Sequence, residues 1–305
     1  MLSVIVPARN DGVMTGTCLG ALLHTLDRLA LTCEIILIDD ASDPAEGVLA
    51  AFFEARASAP RHQFRIVRSH VHQHYSGVFS IGLHLSKGDA VFFLSNDMLV
   101  TPFFLSSLLA VSALDTKFGI VRGTSNHTDS HPEYQIVPAE KPKDYEGIQA
   151  FSARMAAENG LGWRADSVLS GDAVLLKRAL IERIGVLDLR FFGYFGDVDY
   201  GMRAHLAGFE LVCATGAWLY HVGGWHVTRE SQQRGETDLK PGFDRRMALV
   251  SAAYKEFREK WGGDLPQDFA DCPWLNFFPL AEAAQSRVTL RYTLAEATLD
   301  DLEFH

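Results

Sequence analysis

The chain has 305 residues, and its 38 Asp and Glu residues outnumber its 28 Lys and Arg residues, so the formal net charge is −10. Apolar residues make up 48% and charged residues 22%, which is typical of a globular chain long enough to bury a substantial core. The acidic balance argues against a nucleic-acid binder that neutralises phosphates, but a nucleotide ligand stays open because a bound metal can supply positive charge.

The first 120 residues alternate between short β-rich runs and segments with helical spacing. The predicted strands are Ser3–Val6, Glu34–Ile38, Phe64–Val67 and Ala90–Leu94. The predicted helices are Thr15–Leu29, Ala45–Ala57, Gly77–Leu85 and Pro102–Leu114. This alternation predicts right-handed βαβ units, and therefore an α/β fold with a mostly parallel central sheet flanked by helices. Ligands bind such sheets at the carboxyl ends of the strands.

Polar and acidic residues collect after three of the predicted strands. They are Pro7, Ala8, Arg9 and Asn10 after the first, Asp39 and Asp40 after the second, and Ser95, Asn96 and Asp97 after the fourth. Capping of the next helix explains any single one of these groups about as well as a function does. Because three groups converge on one edge of the sheet, the sequence favours a ligand site there.

Residues 122–165 are rich in Gly, Ser, Asn, His, Pro and Lys, and they predict a long, partly irregular insertion that forms an acceptor site or a lid. Regular structure is expected to resume after this insertion. The predicted elements are Ser167–Lys177, a helix at Arg178–Ile184, a helix at Val198–Ala207 ended by Gly208, strands at Glu210–Cys213 and Ala217–Tyr220, and a helix around Asp244–Trp261.

Several residues in the second half carry candidate chemistry. Asp197 is placed to begin a helix, where the helix dipole stabilises its charged form and keeps it a base at neutral pH. Asp199 and Arg203 are four residues apart, so an intrahelical ion pair is the simplest interpretation for them. His221 follows an apolar run and precedes two glycines, and it is either a metal ligand or a buried, hydrogen-bonded residue. His226 is a reserve candidate in the same loop.

Two further groups offer ligands for a metal ion. Asp97 follows a buried strand and has Ser95 two residues before it, an arrangement of oxygen atoms that can hold a divalent cation on two phosphates. His70, His72 and His74 alternate in the segment HVHQH, so their side chains would point to one side of an extended chain. For the histidine segment we favour a surface connection.

The order of several motifs resembles that of a known family. The motifs are SVIVPARN, IILIDDAS, GVFSIGLHLSKGDAVFFLSND, SGDAVLLKRALIERIGVLDLRFFGYFGDVDYGMRAHLAGFELV and WLYHVGG, and together they span about residues 1–225. The pattern resembles the inverting glycosyltransferases of family 2, which have the GT-A fold. It is most similar to their bacterial rhamnosyltransferase and galactofuranosyltransferase branch. The segment KEFREKWGG at 255–263 resembles tails of polysaccharide-assembly members.

This resemblance implies a role for each matching residue. The residues implied in binding the nucleotide and donor sugar are Pro7, Ala8, Arg9, Asn10, Asp39, Asp40, Ser95, Asn96, Gly171 and Asp172. Asp97 and His221 are implied as ligands of a divalent cation, Mn²⁺ or Mg²⁺. Asp197 is implied as the catalytic base.

The sequence departs from the family pattern at three positions. Ser95 stands at the first acidic position of the DxD-type motif, Gly196 replaces the acidic residue before the base, and Ser80 stands in place of the usual Asn. Such a reduced motif can also mark a donor preference. An acidic site facing a dianionic nucleotide would repel it, so the charge of the site favours a bound cation.

The implied activity is inverting transfer of a sugar from a nucleotide sugar, UDP- or dTDP-linked, to a hydroxyl of a cell-surface glycan or lipid-linked saccharide. Two alternatives stay open: a nucleotide-sugar-binding module without turnover, and a sugar nucleotidyltransferase. The second class opens with a basic, glycine-rich phosphate loop, whereas Pro7–Gly12 contains one Gly and one Arg. An NAD dehydrogenase is disfavoured because no GxGxxG motif follows the first strand.

We expect a catalytic domain at 1–227 and a mainly helical C-terminal extension at 228–305. The last predicted helix carries a basic set of residues: Arg245, Arg246, Lys255, Arg258 and Lys260. Such a set is typical of a solvated helix face, and attachment to an anionic membrane is the alternative. The extension is also a candidate for a homodimer contact.

Cysteine spacing and the N-terminal sequence bear on the cellular compartment. The four cysteines, at positions 18, 33, 213 and 272, form no CxxC pair, so a disulfide framework or a zinc site is not expected. Cys33 and Cys213 lie in apolar runs and are expected in the core. The chain begins with a strand-like run, Leu2–Val6, instead of a signal peptide, and no apolar stretch approaches about 20 residues. We therefore expect a cytoplasmic protein, with peripheral contact at the inner face of the membrane as an open alternative.

Overall fold

A computed structural model of the chain describes residues 1–128, 132–169, 172–223, 234–235, 237–262, 265–272 and 276–305. The strands in these ranges are β1 (Leu2–Ala8), β2 (Cys33–Asp40), β3 (Gln63–Ser69), β4 (Ala90–Leu94), β5 (Met98–Leu99), β6 (Phe118–Ser125), β7 (Trp163–Asp166), β8 (Ala173–Lys177), β9 (Glu210–His221) and β10 (Leu302–Phe304). They form one sheet in the order β10-β3-β2-β1-β4-β8-β6-β9-β5, with β7 paired to β9.

The sheet is parallel in its first half and mixed in its second half. Strands β3, β2, β1 and β4 run parallel, and Val4 of β1 lies between Ile35 and Phe92 of its two neighbours. Beyond β4, strand β8 is antiparallel to both β4 and β6, while β9 is parallel to β6. The predicted mostly parallel arrangement therefore describes the first half of the sheet, from β3 to β4.

Helices cover both faces of this sheet. Within the described residues they are α1 (Gly12–Arg28), α2 (Val48–Ser58), α3 (His74–Leu85), α4 (Pro102–Ser112), α5 (Tyr145–Asn159), α6 (Arg178–Ile184), α7 (Gly196–Leu206), α8 (Lys240–Trp261), α9 (Phe278–Ala284) and α10 (Glu296–Asp300). In this part of the chain, no helix has the combination of length and apolar composition that crossing a bilayer requires.

The residues of β1 explain why the strands are apolar throughout. Val4, Ile5 and Val6 are all fully buried. Val4 and Val6 join a cluster that includes α1, α2 and α4, whereas Ile5 joins a cluster on the other face that includes α3, α6 and α7. Successive side chains of a strand point to opposite faces, so a sheet covered on both faces needs a continuous apolar run. Cys33 and Cys213 are 1% and 0% exposed, which confirms their predicted core positions.

The stretch at 122–165, predicted to be a partly irregular insertion, contains more regular structure than the sequence indicated. Strand β6 continues through Ser125, and α5 and β7 occupy Tyr145–Asn159 and Trp163–Asp166. Helix α5 escaped the sequence reading because only Ile148, Ser152 and Met155 of its 15 residues are buried, which leaves a weak apolar period.

The two strands predicted at Glu210–Cys213 and Ala217–Tyr220 are one strand, β9. Its pairing with β6 shifts register between Cys213 and Trp218, so the intervening residues form an irregularity inside the ladder. Such bulges interrupt the alternation of apolar and polar residues by which a single strand is recognised. The carboxyl end of this long strand carries His221 to the edge where β1, β2 and β4 also end.

The C-terminal residues pack closely onto the rest of the chain. Strand β10 pairs antiparallel with β3, and Tyr292 forms an isolated bridge with Gly185. The second half of α8 buries Tyr254, Phe257 and Trp261 in a third apolar cluster, which also contains the residues just before α7. The predicted domain boundary between 227 and 228 lies outside the described residues.

The predicted solvated basic face of α8 is wrong for one of its members. Lys255 is exposed, but Lys260 is only 9% exposed and its ammonium group lies between two buried carboxylates. The sequence placed Lys260 with its basic neighbours because spacing alone does not reveal which partner a cation meets in the folded chain.

Candidate active site

The loops after β1 and β2 are locked together by hydrogen bonds. The Asn10 amide donates to Ser42 Oγ at 2.9 Å, and the Asp43 amide donates to Asn10 Oδ1 at 3.0 Å. The Ser42 amide donates to Asp39 Oδ1 at 3.0 Å, and Arg68 Nε lies 3.6 Å from the other oxygen of Asp39. Asp39 is 1% exposed, so this predicted nucleotide ligand serves first to shape the loop.

Asp40 faces the histidine segment that the sequence assigned to a surface connection. The Gln73 amide donates to Asp40 Oδ1 at 2.6 Å, and His72 Nδ1 lies 2.8 Å from Asp40 Oδ2. The rings of His72 and His74 lie 3.8 Å apart. Burial lowers the pKa of His74, as do the nearby charges of His72 and Arg9, while Asp40 acts in the opposite direction. Alternate spacing in HVHQH was the signal that could have grouped these residues with the site.

Ser95 and Asn96 hold the strand end in place. The Ser95 amide donates to the Asp172 carbonyl at 2.9 Å, which ties the end of β4 to the start of β8. Asn96 is 6% exposed and donates through Nδ2 to Thr15 Oγ1 of α1 at 3.1 Å. Gly171, the predicted neighbour of Asp172, lies outside the described residues, as does the reserve candidate His226.

The structure brings Asp97 and His221 together across 124 residues of sequence. His221 Nε2 lies 3.2 Å from Asp97 Oδ2, and both residues are buried. Strand β5 pairs with the end of β9 so that Met98 lies opposite His221, and the Val222 amide donates to the Asp97 carbonyl at 3.1 Å. A short antiparallel ladder therefore sets the distance between the carboxylate and the imidazole.

A clamp that the sequence did not indicate fixes His221 further. The His221 amide donates to Asn126 Oδ1 at 2.7 Å, and Asn126 Nδ2 donates to the His221 carbonyl at 2.8 Å. The His127 carbonyl lies 3.1 Å from His221 Nδ1, which leaves Nε2 to face Asp97. Burial lowers the pKa of His221, but the hydrogen bond and charge of Asp97, with the charge of Asp172, outweigh it and raise the pKa to about 9.

This pair fits a divalent cation as part of a larger ligand set. A carboxylate oxygen and an imidazole nitrogen are both suitable ligands for Mn²⁺, and a carbonyl hydrogen-bonded to the other ring nitrogen is a common feature of metal-binding histidines. Among the described residues no group of three or more His, Cys, Asp and Glu side chains is arranged to hold a metal. Substrate phosphates and water are ligands that would complete the coordination of such a cation.

The two aspartates of the GDVDYG segment in α7 differ in their exposure to solvent. Asp199 is 0% exposed and pairs with Arg203 Nε at 2.8 Å, which confirms the predicted intrahelical ion pair. Asp197 is partly exposed in the first turn, and its Oδ1 accepts from the Val198 amide at 2.9 Å. Of the two carboxylates, only Asp197 can meet a substrate.

Gly196 allows α7 to begin close against α3. A Cβ at Gly196 would lie inside van der Waals contact of Ser76 Oγ and 3.1 Å from the Phe191 carbonyl. Ser76 Oγ itself donates to that carbonyl, and the Ser76 amide donates to the Phe192 carbonyl at 2.8 Å. The glycine at the position where the family pattern has an acidic residue is therefore explained by the packing of Ser76.

Tyr75 is a site residue that the sequence reading missed. Its hydroxyl is buried and, within the described part of the chain, has no hydrogen-bond partner. Its ring packs edge-on against Phe79 and Phe93, with centroids 5.7 Å apart in each case. Burial raises the pKa of Tyr75 well above its ordinary value, and the charges of Asp197 and Asp172 raise it further. Tyr75 therefore lies between the acidic strand end and the start of α7.

The left-handed backbone positions also cluster at this edge. Among the described residues, six non-glycine residues have a positive φ, and five of them lie in loops after strands or at helix starts along the site: Asn10, Asp11, Ala41, His74 and Phe195. The sixth, Ala30, lies between α1 and β2. Such conformations cost free energy and persist where the surrounding structure holds them, which is common at functional sites.

Comparison with protein families and solved structures agrees with this architecture. Residues 3–183, more than half of the chain, match the model of Glycosyl transferase family 2. No curated protein sequence matches the chain significantly.

Several solved structures share the fold at low identity. A mannosyltransferase from Pyrobaculum calidifontis, in complex with GDP-Man and Mn²⁺, is 17% identical with a TM-score of 0.53 over 98% of this chain and 77% of that one. TarS 1-349 from S. aureus, in complex with UDP, is 15% identical with a TM-score of 0.53 over 87% and 67%. GalNAc-T7 with UDP, GalNAc and Mn²⁺ is 15% identical with a TM-score of 0.59 over 93% and 54%. The predicted α/β fold of the GT-A type is confirmed.

Proposed function

The chain belongs to glycosyl transferase family 2, and from that premise we propose that it is an inverting enzyme that moves a sugar from a nucleotide-sugar donor to an acceptor hydroxyl. One observation carries the proposal: three carboxylates converge on one edge of the sheet. Asp97 pairs with His221, and the Ser95 amide donates to the Asp172 carbonyl, at the ends of β4 and β8. The start of α7, with Asp197, packs through Gly196 against Ser76 near the start of α3, which follows β3 at the same edge. We therefore treat the Asp97–His221 pair and Asp197 as parts of one acidic site.

Asp97 and His221 would hold the divalent cation, for which Mn²⁺ or Mg²⁺ is the candidate. When bound, such a cation supplies charge neutralisation for the diphosphate leaving group. The complexes of the Pyrobaculum calidifontis mannosyltransferase and of GalNAc-T7 both contain Mn²⁺, which supports a cation in this fold. The buried, pre-formed distance of 3.2 Å between Asp97 and His221 supports these two residues as its ligands.

Asp197 is the proposed general base. It would accept the proton of the acceptor hydroxyl as that oxygen attacks the anomeric carbon on the face opposite the diphosphate, which inverts the configuration. Its place in the first turn of α7 supports this role, because the positive end of the helix dipole keeps the carboxylate ionised near neutral pH. General-base assistance of this kind contributes about 10²–10⁴-fold to the rate.

The loops after β1 and β2 are the proposed site of the nucleotide. Arg9 and Asn10 lie on one side of this loop pair, and Asp40 lies on the other with His72 and His74 against it. The related structures were solved with GDP-Man, UDP and UDP-GlcNAc, which supports a nucleotide sugar as donor. Following the motif resemblance, we assign a UDP- or dTDP-linked donor and the rhamnosyltransferase and galactofuranosyltransferase branch.

The proposed acceptor is a cell-surface glycan precursor or lipid-linked saccharide at the cytoplasmic face of the membrane. Residues 1–227 would form the catalytic domain, and residues 228–305 the C-terminal extension. Asn126 and His127, which follow β6 and contact His221, support an acceptor entry on that side of the site.

A first experiment identifies the donor. The full chain is mixed with Mn²⁺ and a panel of UDP, GDP, CMP and dTDP sugars, and its thermal midpoint is measured. A donor present at 100 times its Kd should stabilise the protein by about 2.7 kcal/mol. Loss of that stabilisation in Asp97→Asn, with retention in Asp27→Asn, would support the cation site. Asp27 is an exposed carboxylate in the last turn of α1, paired with Arg61.

A second experiment tests the base and the cation. Asp197→Asn should lower donor hydrolysis and sugar transfer by about 10²-fold or more while nucleotide affinity stays near the wild-type value. EDTA should abolish turnover, and added Mn²⁺ should restore it. Retained turnover in Asp197→Asn would refute its assignment, and full activity in EDTA would refute the cation. Tight donor binding without any turnover in the wild-type chain would instead support the nucleotide-sugar-binding module.

A further inference from the structure

The start of α7 is held in an unfavourable backbone conformation by the C-terminal part of the chain. Phe195, two residues before Asp197, is left-handed with a φ of 63°. This conformation is disfavoured for a bulky residue, so it persists only where other contacts enforce it. The ring of Phe195 lies 5.1 Å from Phe257 and 5.5 Å from Tyr254, both on α8.

Helix α8 also reaches the first turns of α7 through buried charge. Lys260 Nζ lies 2.5 Å from Asp199 Oδ1, and Trp261 Nε1 donates to the same oxygen at 3.0 Å. The other carboxylate oxygen of Asp199 pairs with Arg203 at 2.8 Å. Asp199 is fully buried, so both of its oxygens are fixed by charged or polar partners with no access to water.

Lys260 connects this carboxylate to a second one. Its ammonium lies 3.0 Å from Asp188 Oδ2, and Asp188 is also paired with Arg190 at 2.6 Å. Asp188 belongs to the segment that leads from α6 to α7. A single lysine from α8 therefore bridges the entry segment and the body of the helix that carries Asp197.

We propose that the end of α8, through Lys260 and Trp261, positions the catalytic base Asp197. Helix α8 would then support the geometry of the active site. This inference rests on the proposed function, because it presumes that Asp197 is the base.

The reasoning follows from the physics of buried ion pairs. Two charges in a dry interior often add little net stability, but they are costly to separate, so they select one relative arrangement of the elements that carry them. Asp197 lies two residues from Asp199 on the same rigid helix. A shift of α7 by about 1 Å moves the base relative to the acceptor oxygen, and such misplacement can lower a rate by about 10²-fold.

Two variants remove the contacts from α8 to Asp199 and Asp188 while keeping most of the packing. Lys260→Met keeps the volume of the side chain, and each carboxylate keeps one cation: Arg203 for Asp199, and Arg190 for Asp188. Trp261→Phe keeps most of the ring and removes only the donor to Asp199. The matched control is Glu34→Gln, because Glu34 is also buried and accepts from Ser3 Oγ and the Lys87 amide at the opposite, amino-terminal end of the sheet.

The readout is Mn²⁺-dependent hydrolysis of UDP-GlcNAc or GDP-mannose, whichever the wild-type chain hydrolyses faster, measured below the thermal transition of every variant. We expect kcat to fall about 10- to 100-fold in Lys260→Met and at least several-fold in Trp261→Phe, with KM for the donor within about twofold of wild type. Glu34→Gln should keep its kcat even where its loss of thermal midpoint equals that of Lys260→Met. If Lys260 and Trp261 had a merely structural role, kcat would fall by a similar factor in both α8 variants and in Glu34→Gln.

The outcomes distinguish this inference from its premise. If Asp197→Asn is inactive and both α8 variants keep kcat within twofold of wild type, the positioning role is overturned while the proposed function stands. If Asp197→Asn hydrolyses the donor normally, the base assignment and this inference fall together. If Lys260→Met does not fold, Trp261→Phe alone decides, with unchanged kcat counting against the proposal.

Discussion

Replacing Gly196 by Ala tests whether the close approach of α7 to α3 sets the site. The added methyl group would overlap Ser76 Oγ and lie 3.1 Å from the Phe191 carbonyl. Ser76 is fully buried and its hydroxyl is already bonded to that same carbonyl, so it has no free volume into which to turn. Either Ser76 gives up its hydrogen bond or the first turn of α7 moves away from α3.

The expected cost combines three terms. Overpacking a well-packed site costs about 1–3 kcal/mol, and loss of a buried hydrogen bond costs about 1 kcal/mol. Ala gains up to about 1 kcal/mol over Gly in a helix, and somewhat less in the first turn. We therefore expect Gly196→Ala to lower the free energy of unfolding by about 1–3 kcal/mol, with a fall in donor hydrolysis of about tenfold because Asp197 is the next residue.

Urea unfolding of four proteins measures the effect: wild type, Gly196→Ala, Ser76→Ala and the double variant. In the double variant the methyl group meets the Cβ of residue 76 at about the 3.3 Å found for Ser76, a tight but tolerable contact. The two changes should therefore be coupled by about 1 kcal/mol in the stabilising direction. The control is Gly20→Ala on α1, where an added Cβ meets no atom within 4 Å, and which should be neutral or stabilising.

Two results would refute the reasoning. If Gly196→Ala changes the free energy of unfolding no more than Gly20→Ala does, the close approach does not constrain the helix. Alternatively the two changes at Gly196 and Ser76 could add within about 0.5 kcal/mol, which would show that the methyl group and the hydroxyl do not compete for one space.

Three further predictions concern single residues of the site and its support. Tyr75→Phe should leave the protein equally stable or raise its free energy of unfolding by about 1 kcal/mol, because the hydroxyl that it removes is buried and has no hydrogen-bond partner among the described residues. Asn126→Ala should weaken Mn²⁺ binding in the presence of UDP about 10- to 100-fold, measured by calorimetry, because it removes the two side-chain hydrogen bonds that hold the His221 backbone. Burial raises the pKa of Asp188, but Arg190 and Lys260 outweigh it and hold the pKa well below 3.8. The stability from Asp188 is therefore present above about pH 3.8 and is lost as the pH falls, so the gap in thermal midpoint between wild type and Asp188→Asn should narrow from about pH 5 to pH 2.

Each of these has a result that contradicts it. A loss of more than about 1 kcal/mol in Tyr75→Phe would mean that the hydroxyl has a partner after all. Unchanged Mn²⁺ affinity in Asn126→Ala would separate His221 from the cation. If the difference in thermal midpoint between wild type and Asp188→Asn stays constant down to pH 2, Arg190 and Lys260 do not hold Asp188 in its charged form.

The early strands and the residues that follow them were predictable because each depends on local pattern. Continuous apolar runs mark strands covered on both faces, and the polar residues after them lie at the carboxyl edge whatever the remainder of the chain does. The same reasoning placed Asp97 and Asp197 correctly at strand and helix ends. The ion pair of Asp199 with Arg203 was predictable for the same reason, since spacing of four residues on a helix determines it.

Contacts between distant segments were not predictable in this way. The roles of His72 and His74 depend on Asp40, which lies on a neighbouring strand end, and Asn126 acts on a backbone 95 residues away. Helix α5 was hidden because few of its residues are buried, and β9 was divided because a bulge interrupts its alternation. In each case the deciding partner is far away in sequence.

The sequence by itself determined the α/β class and the acidic strand edge, because periodicity and strand-end chemistry are local properties. Its motif resemblance to a family supplied the proposal of Asp97, Asp197 and His221 as site residues. Only the tertiary structure decided which of these residues meet. The β5–β9 pairing places Asp97 beside His221, and folding buries Asp199 away from solvent. Folding also places Lys260, predicted as one of a basic set, between the buried carboxylates of Asp188 and Asp199. The physical reason is that a charge has its effect through what lies within a few ångströms of it, and in this chain those neighbours come from segments that only folding brings together.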